Sequence, residues 1–395
     1  MKDDSSIVRA TPAVLRWARE ESGLTLEQAA VRLKRQPGLV AAWESGAEPT
    51  TWGALEAMAR HYRRPLAALL MQTPPAEPVP MVDFRTLAGL PAPPPSPRLR
   101  LAIRRARWLS RVGADLLTAS GAVPPRAFPT INPDQPPEEV AARERNRLGV
   151  SLEAQYSCRD LRQAFRAWRS SIEELGVLVL QMSLPLGEAR GFSLSGNPGL
   201  PTVVVSSQDA VAGRIFSLLH EYAHILVDRA GLCIPSEQSV RGEPLEDFCS
   251  QLAGAILVPQ EGLLEDELST HIAETARKGD LDIRDLVRAA RRFGVSTQVV
   301  WRRMLDVGLV DKRRYWPVAR RLQESGAKTP IQATKRPIPV AVHSLAQNGP
   351  LLTGLVLGAA DRGVITNNEA LDYLAVRVAH LPRLRALLGR RPSGG

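Results

Sequence analysis

Apolar residues recur every three or four positions through residues 12–71, which is the spacing of one buried face of an α-helix. Short polar breaks divide this segment, so the pattern predicts a bundle of short helices. Thr25 is placed to cap the second helix and Gly46 to end the third. The apolar positions are Val14, Leu15, Ala18, Leu26, Ala29, Ala30, Leu33, Val40, Trp43, Leu55, Met58, Ala59, Leu66, Leu69 and Leu70.

Two proline-rich runs follow, "TPPAEPVP" at residues 73–80 and "LPAPPPSP" at residues 90–97. Proline lacks a backbone N–H and fixes φ, so these runs disfavour helix and sheet ladders alike. We expect a semi-rigid linker and a domain boundary over residues 74–97.

The hydrophobic period changes twice after the linker. Helical spacing gives way at Gly176 to three short strands, "GVLVLQM", "ARGFSL" and "PTVVVSS", which Pro, Gly and Asn turns separate. Helical spacing returns after them and continues toward the C-terminus. The predicted helices cover residues 98–119, 137–175, 209–229, 244–258, 281–293 and 296–306.

The last stretch, roughly residues 330–395, predicts a few strands or loops and then helices around "ITNNEALDYLAVRV". It carries no catalytic signature. The resulting plan has four parts: a helical domain at 1–73, a linker at 74–97, a mixed domain at 98–310 and a C-terminal module at 311–395.

Composition narrows the function classes only slightly. No apolar run reaches the roughly 18 residues that a membrane span needs, so we expect a soluble, cytoplasmic protein with no membrane partner. The three cysteines, Cys158, Cys233 and Cys249, form no CxxC pair, which argues against a disulfide framework and a cysteine-only zinc site. The net charge of +10 favours a polyanion, but arginine-rich composition also accompanies GC-biased genomes.

The segment "LLHEYAHIL", residues 218–226, places two histidines four apart in a predicted helix. His220 and His224 then lie on one face and can bind one ion, with Glu221 beside its open position. A divalent cation with three protein ligands lowers the pKa of a bound water, and Glu221 is placed to take that proton. The competing interpretation is a chance match in a helix with two core histidines.

A third ligand has to come from another segment. Glu246 is the best candidate because it begins a predicted helix 22 residues after His224, and Glu243, Asp247 and Asp228 are its rivals. No third histidine follows at the spacing of HExxHxxGxxH. His271 lies in a polar segment, so we expect it at the surface.

Residues from about 140 to 310 resemble the ImmA/IrrE family of metallopeptidases. The segments "LPTVVVSSQDAVAGRIFSLLHEYAHIL" and "EDFCSQLAGAILVP" carry this resemblance. It implies a zincin-like α+β domain with His220, His224 and Glu246 as metal ligands and Glu221 as general base. Zn²⁺ is the expected ion, and Mn²⁺ suits the same ligands.

Two positions depart from the family pattern. Ser250 stands where the family usually has Asn, and Leu252 stands where it has Phe. Both leave the ligands intact and bear on the hydrogen bonds around them. Within HExxH, Tyr222 and Ala223 are assigned no role beyond filling the spacer.

Residues 24–46, "LTLEQAAVRLKRQPGLVAAWESG", resemble the XRE/Cro-type helix-turn-helix, and residues 48–70 continue the match. The Trp-Glu-x-Gly signature at 43–46 supports an all-α, five-helix domain. The recognition helix begins near Gln36, and Leu26 replaces a glutamine that commonly contacts phosphate. The positions that face base edges hold Pro37, Gly38, Leu39 and Ala42, which give poor direct readout.

Four residues remain suited to the DNA backbone: Arg32, Lys34, Arg35 and Gln36. They predict weak or non-specific binding to double-stranded DNA. The alternative is that this fold serves to pair with another helix-turn-helix protein, including a repressor substrate.

The sequence thus predicts a multidomain, mainly α protein: a helix-turn-helix domain, an α+β peptidase domain with a small sheet, and a mixed C-terminal module. The first hypothesis is a site-specific metallo-endopeptidase that cleaves a helix-turn-helix transcriptional repressor in a stress or mobile-element response. The second is a DNA-binding regulator whose peptidase-like domain acts as a sensor or interaction module. A third is a scaffold or antitoxin-like role without turnover.

Overall fold

The computed structural model describes residues 6–75, 82–83, 95–121, 130–196, 199–228, 231–233, 244–326 and 338–389. The chain divides into two compact units. The first comprises Met1–Pro80 and Pro93–Arg105, and the second comprises Met81–Ala92 and Ala106–Gly395. Most of the proline-rich segment lies outside the described residues, and the four-part division at 73, 97 and 310 stays a prediction. Among the described residues no helix is long and apolar enough to cross a membrane.

The described residues of the first unit include a bundle of five short helices, as the helix-turn-helix resemblance implies. A two-stranded antiparallel ribbon, which the sequence pattern did not predict, joins its N-terminal residues to the segment before the fourth helix. The helices are α1 (Pro12–Glu20), α2 (Leu26–Leu33), α3 (Pro37–Ser45), α4 (Trp52–His61) and α5 (Leu66–Leu69), and the strands are β1 (Ile7–Val8) and β2 (Thr50–Thr51).

Both predicted helix boundaries in this unit are confirmed. The Thr25 hydroxyl accepts a hydrogen bond from the Gln28 amide, and the Gln28 side chain accepts one from the Thr25 amide, which together form a capping box. Gly46 ends α3 with a φ of 80°, a left-handed conformation that glycine adopts without strain.

The Trp-Glu-x-Gly signature supports the core of this unit. Trp43 is buried, and the equally buried Glu44 accepts two hydrogen bonds from Arg19, at 2.7 Å from Nε and 2.9 Å from Nη2. Arg19 also donates to the Leu24 carbonyl at 2.8 Å, so the pair is well hydrogen-bonded. It joins α1 to α3 and orients the recognition helix.

The second unit combines a five-stranded sheet with the remaining helices. The strands are β3 (Val82–Asp83), β4 (Leu178–Met182), β5 (Gly191–Leu194), β6 (Thr202–Ser206) and β7 (Gly231–Cys233). The helices are α7 (Pro137–Leu148), α8 (Leu152–Tyr156), α9 (Leu161–Glu174), α10 (Val211–Leu226), α11 (Pro244–Leu257), α12 (Gln260–Leu264), α13 (Glu267–Lys278), α14 (Ile283–Phe293), α15 (Thr297–Asp306), α16 (Lys312–Gly326), α17 (Val340–Asp361), α18 (Asn367–Leu374) and α19 (Leu381–Gly389). Helix α6 (Pro97–Ala119) has residues in both units, and a short 3₁₀ turn covers Val378–His380.

The sheet order is β3-β7-β5-β6-β4. Strands β4 and β6 are parallel, and β5 runs antiparallel to both β6 and β7. The three strands predicted from residues 176–207 are β4, β5 and β6. The sequence pattern missed β3, which lies between the two proline-rich runs and pairs with β7.

Helix α10 is the centre of the core. It packs against β5, β6, α9 and α11, and every residue from Ser217 to Leu226 is buried. Apolar side chains of the core pack around most of this helix, which explains why the segment is mainly apolar outside His220, Glu221 and His224.

The described part of the C-terminal region is helical, including the helices expected around residues 365–378, and it contains no strand. Helix α17 is kinked where Gly349 has a φ of 80° before Pro350. At this kink it packs on the outer edge of β4. Arg169 of α9 donates to the carbonyls of Val179 and Ala346, and it pairs with Glu173 at 3.0 Å.

Gly349 leaves no room for a side chain at this contact. A Cβ there would collide with the Glu173 carboxylate and would lie 2.5 Å from the Arg169 guanidinium. We expect Gly349→Ala to lower the free energy of unfolding by about 2–4 kcal/mol, through the positive φ and the overpacking. Chemical denaturation of the full chain measures this.

Gly354→Ala is the matched control, because Gly354 lies in the same helix and a Cβ added there would meet nothing within 4 Å. It should leave stability unchanged or raise it by up to about 1 kcal/mol. Equal effects of the two substitutions would contradict this account of the kink.

Candidate metal centre

Three potential metal ligands converge between α10 and α11. The Nε2 atoms of His220 and His224 lie 3.2 Å apart. The Glu246 carboxylate places Oε2 at 3.3 Å from His220 and Oε1 at 3.1 Å from His224. Of the described residues, only these three form a group of three or more potential ligands with donors within 4.8 Å of one another.

This donor set fits a divalent cation. Tetrahedral ligands at 2.0–2.1 Å from zinc lie about 3.3–3.4 Å apart, close to the separations seen here. Both histidines are fully buried and the Glu246 side chain is only 13% exposed. Burial raises the pKa of Glu246, but hydrogen bonds with both histidines lower it by more, so its pKa lies well below the usual value. The carboxylate is therefore in the form that binds metal.

Glu221 lies beside this group but outside it. Its side chain is fully buried and faces strand β5 at Gly191. A Cβ on Gly191 would come within 3.1 Å of Glu221 Oε1 and 3.0 Å of the Val204 carbonyl. Glycine at position 191 therefore permits the close approach of the strand to this carboxylate.

Two side chains of α11 contact the outer nitrogens of the histidines. Ser250 Oγ lies 3.3 Å from His220 Nδ1, and Cys249 Sγ lies 3.7 Å from His224 Nδ1. Ser250 is the position at which the sequence departs from the family's Asn, and the hydroxyl makes the contact there. Burial raises the pKa of Cys249 well above its usual value, so the thiol stays protonated.

The C-terminal end of α11 is held by buried polar side chains from three other helices. Arg145 donates to the Ile256 carbonyl at 2.6 Å, and Gln155 donates to the Leu257 carbonyl at 2.7 Å. Arg303 donates to the Val258 carbonyl at 3.0 Å. These bonds satisfy carbonyls that have no partner within the helix, and the two arginines complement its dipole. Glu246 is thereby held on a helix with a fixed position.

Tyr222 has a structural role that sequence reasoning missed. Its hydroxyl donates to Glu144 of α7 at 2.6 Å, and burial raises the pKa of Tyr222. The expectation that Tyr222 only fills the HExxH spacer was therefore wrong. A buried tyrosine requires a hydrogen-bond partner, which is the signal that its position on an otherwise apolar helix carried.

Of the rival third ligands, the two that the structure describes lie outside the ligand group. Asp228 is exposed just after α10, and Asp247 lies on α11 outside the ligand group. Glu243 lies outside the described residues. His271 is exposed on α13 and 3.7 Å from Asp285, at the surface as expected.

The four residues predicted to contact DNA are all exposed, between the last turn of α2 and the residue before α3. These are Arg32, Lys34, Arg35 and Gln36. On α3 itself, Pro37 and Gly38 are exposed and Leu39 and Ala42 are half-buried, so these positions present no hydrogen-bonding side chain. Leu26 packs against the apolar core of the unit, which accounts for an apolar residue there.

The two units thus have the form of a helix-turn-helix domain and a metallopeptidase-like domain. Comparison with known protein families supports this assignment of the two units. Residues 172–305 match the peptidase M78 family model, described as the IrrE N-terminal-like domain, and residues 13–70 match a helix-turn-helix domain model. The chain therefore carries both domains, which confirms the two resemblances found in the sequence. No curated protein and no solved structure matches the chain.

Glu246 supplies one of the three donors, so Glu246→Gln should lower zinc affinity by more than the roughly 10–100-fold that a lost second-sphere contact costs. Asp247→Asn removes the neighbouring carboxylate on the same helix and should leave affinity unchanged. Competition with a chromophoric chelator measures both. Loss of zinc in the Asp247 variant with retention in the Glu246 variant would show that the third ligand is misassigned.

Proposed function

We propose that this protein is a cytoplasmic, metal-dependent and site-specific endopeptidase that cleaves a helix-turn-helix transcriptional repressor in a stress or mobile-element response. The observation that supports this most directly is the convergence of three donors within 3.3 Å beside the buried Glu221. The peptidase M78 match over the same residues supports the reaction class.

His220, His224 and Glu246 would hold the ion, with Zn²⁺ expected and Mn²⁺ as the alternative that suits the same ligands. A bound divalent cation supplies a Lewis acid that polarises the scissile carbonyl and makes water more acidic. The two neutral imidazoles and one carboxylate leave a net positive charge at the centre, which favours the negative charge that develops during amide hydrolysis.

Glu221 is the general base in this proposal. Its carboxylate accepts the proton of the attacking water and then donates it to the leaving nitrogen of the peptide. Burial beside β5 keeps bulk water away from the carboxylate, which strengthens its interaction with the reacting groups. Gly191 and the apolar packing of α10 hold Glu221 in this position.

Two features favour one docked substrate over general peptide digestion. His220, Glu221 and His224 are all fully buried, so a random peptide has poor access to them. The helix-turn-helix domain in the same chain provides a surface for a DNA-bound or helix-turn-helix substrate. A helix-turn-helix repressor is both a DNA-bound protein and a helix-turn-helix protein.

Glu221→Gln tests the reaction. We expect cleavage of repressors encoded beside this gene to fall by at least about a hundredfold, the scale of one lost general base, while zinc affinity stays near that of wild type. Gel analysis of the incubated repressors with zinc measures the cleavage. Glu274→Gln, an exposed carboxylate on α13, is the control and should cleave normally.

Cleavage by neither protein, or equal cleavage by wild type and Glu221→Gln, would refute the protease proposal. Absence of cleavage with zinc binding intact would favour the alternative of a DNA-binding regulator whose peptidase-like domain acts as a sensor or interaction module.

We further propose that the helix-turn-helix domain binds double-stranded DNA through phosphates with little base selectivity. The support is the exposed basic turn at residues 32–36 beside a recognition helix whose outer face lacks charged side chains. Phosphate contacts release counterions, so affinity should fall steeply with salt and be similar for unrelated sequences.

Arg32→Ala and Arg35→Ala should each reduce the slope of log affinity against log salt by about 0.9. Arg60→Ala, at the exposed end of α4, should leave the slope unchanged. Fluorescence anisotropy with two unrelated duplexes measures both slope and selectivity. Absence of binding at low salt would favour the alternative role of pairing with another helix-turn-helix protein.

A further inference from the structure

We propose that α11 orients both metal-binding histidines as well as supplying the third ligand, with Ser250 positioning His220 and Cys249 positioning His224. This inference rests on the proposed function, because it takes His220 and His224 as ligands through Nε2. Ser250 and Cys249 are positioning residues, since each acts on the ion through a histidine.

A histidine that binds an ion through Nε2 leaves its Nδ1 to contact the protein. A neutral histidine that binds an ion through Nε2 carries its proton on Nδ1. Both histidines are fully buried, so each Nδ1–H needs an acceptor inside the protein. Ser250 Oγ lies 3.3 Å from His220 Nδ1, and Cys249 Sγ lies 3.7 Å from His224 Nδ1.

The spacing along α11 brings its three polar side chains to one side of the helix. Cys249 follows Glu246 by three residues and Ser250 follows it by four, so all three side chains lie on one face of the helix. The histidines lie on one face of α10 by the same rule. Two crossing helix faces therefore account for the three donors and for the orientation of both rings.

The two contacts on the histidines differ in strength. A hydroxyl oxygen is a good acceptor, whereas a thiol sulfur is a weak one. The ring of His220 also stacks on Phe216, with centroids 6.1 Å apart. Ser250 should therefore contribute more to metal affinity than Cys249.

Zinc affinity of the full-length protein tests the inference without any use of cleavage. Loss of an orienting partner typically costs about 10–100-fold in metal affinity. We expect that loss for Ser250→Ala, and a loss of about tenfold or less for Cys249→Ala. Ser250→Thr keeps the hydroxyl and should remain within about threefold of wild type. Competition with a chromophoric chelator at one fixed pH gives all these affinities.

Gln251→Ala is the matched control, because Gln251 is equally half-buried on the same helix and about 100° further around its axis. Its zinc affinity should equal that of wild type. Thermal unfolding of the metal-free variants separates orientation from folding, since an orienting role leaves the metal-free midpoint in place and reduces only the increase on adding zinc.

Equal zinc affinity in wild type and Ser250→Ala would overturn the inference. If Ser250→Ala also destabilises the metal-free protein, Ser250→Thr decides the question. Restored stability without restored zinc affinity in that variant counts against the orienting role, and restoration of both supports it.

These results are distinguishable from a failure of the proposed function. Tight zinc binding with no repressor cleavage would refute the peptidase proposal and leave the orienting roles standing. Normal repressor cleavage by wild type, with unchanged zinc affinity in Ser250→Ala, would support the peptidase proposal and refute the orienting role of Ser250. A wild-type protein that binds neither zinc nor manganese would overturn both.

Discussion

The approach of α10 to α11 is the constraint on which the rest of the second unit depends. It brings the Nε2 atoms of two histidines and one carboxylate to within 3.1–3.3 Å of one another inside the core. Such a polar group is costly to bury unless its members pair or bind an ion. The packing around α10 and α11 therefore has to offset the free-energy cost of burying this polar group.

Helix α7 joins the two helices through adjacent residues. Glu144 accepts a hydrogen bond from Tyr222 on α10, and Arg145 donates to the Ile256 carbonyl at the end of α11. Because neighbouring residues point about 100° apart on a helix, one turn of α7 can contact both partners. On the other side, β5 approaches Glu221 at Gly191, where a Cβ would lie only 3.1 Å from the carboxylate. The site is thus supported by a helix and a strand that contribute no ligand.

The helix-turn-helix unit shows the same separation between supporting and functional residues. Its signature residues Trp43 and Glu44 are buried and orient α3 through Arg19. The exposed residues of α3 are small or apolar, and the positive charge lies in the preceding turn. The signature therefore reports the fold, whereas the surface residues determine how the fold contacts DNA or protein.

The sequence by itself determined the two domain types, because HExxH and Trp-Glu-x-Gly depend on local helical spacing, and it identified the buried strands through their apolar runs. It also indicated Glu246, but it left Asp228, Asp247 and Glu243 as rivals, since a ligand on another helix depends on how the two helices cross. Only the tertiary structure placed Ser250 and Cys249 at the histidines, Tyr222 on Glu144 and α17 on the edge of β4. These contacts join residues that are distant along the chain. Hydrophobic periodicity and motif spacing describe neighbouring residues, so they do not give the distance between two helices or strands.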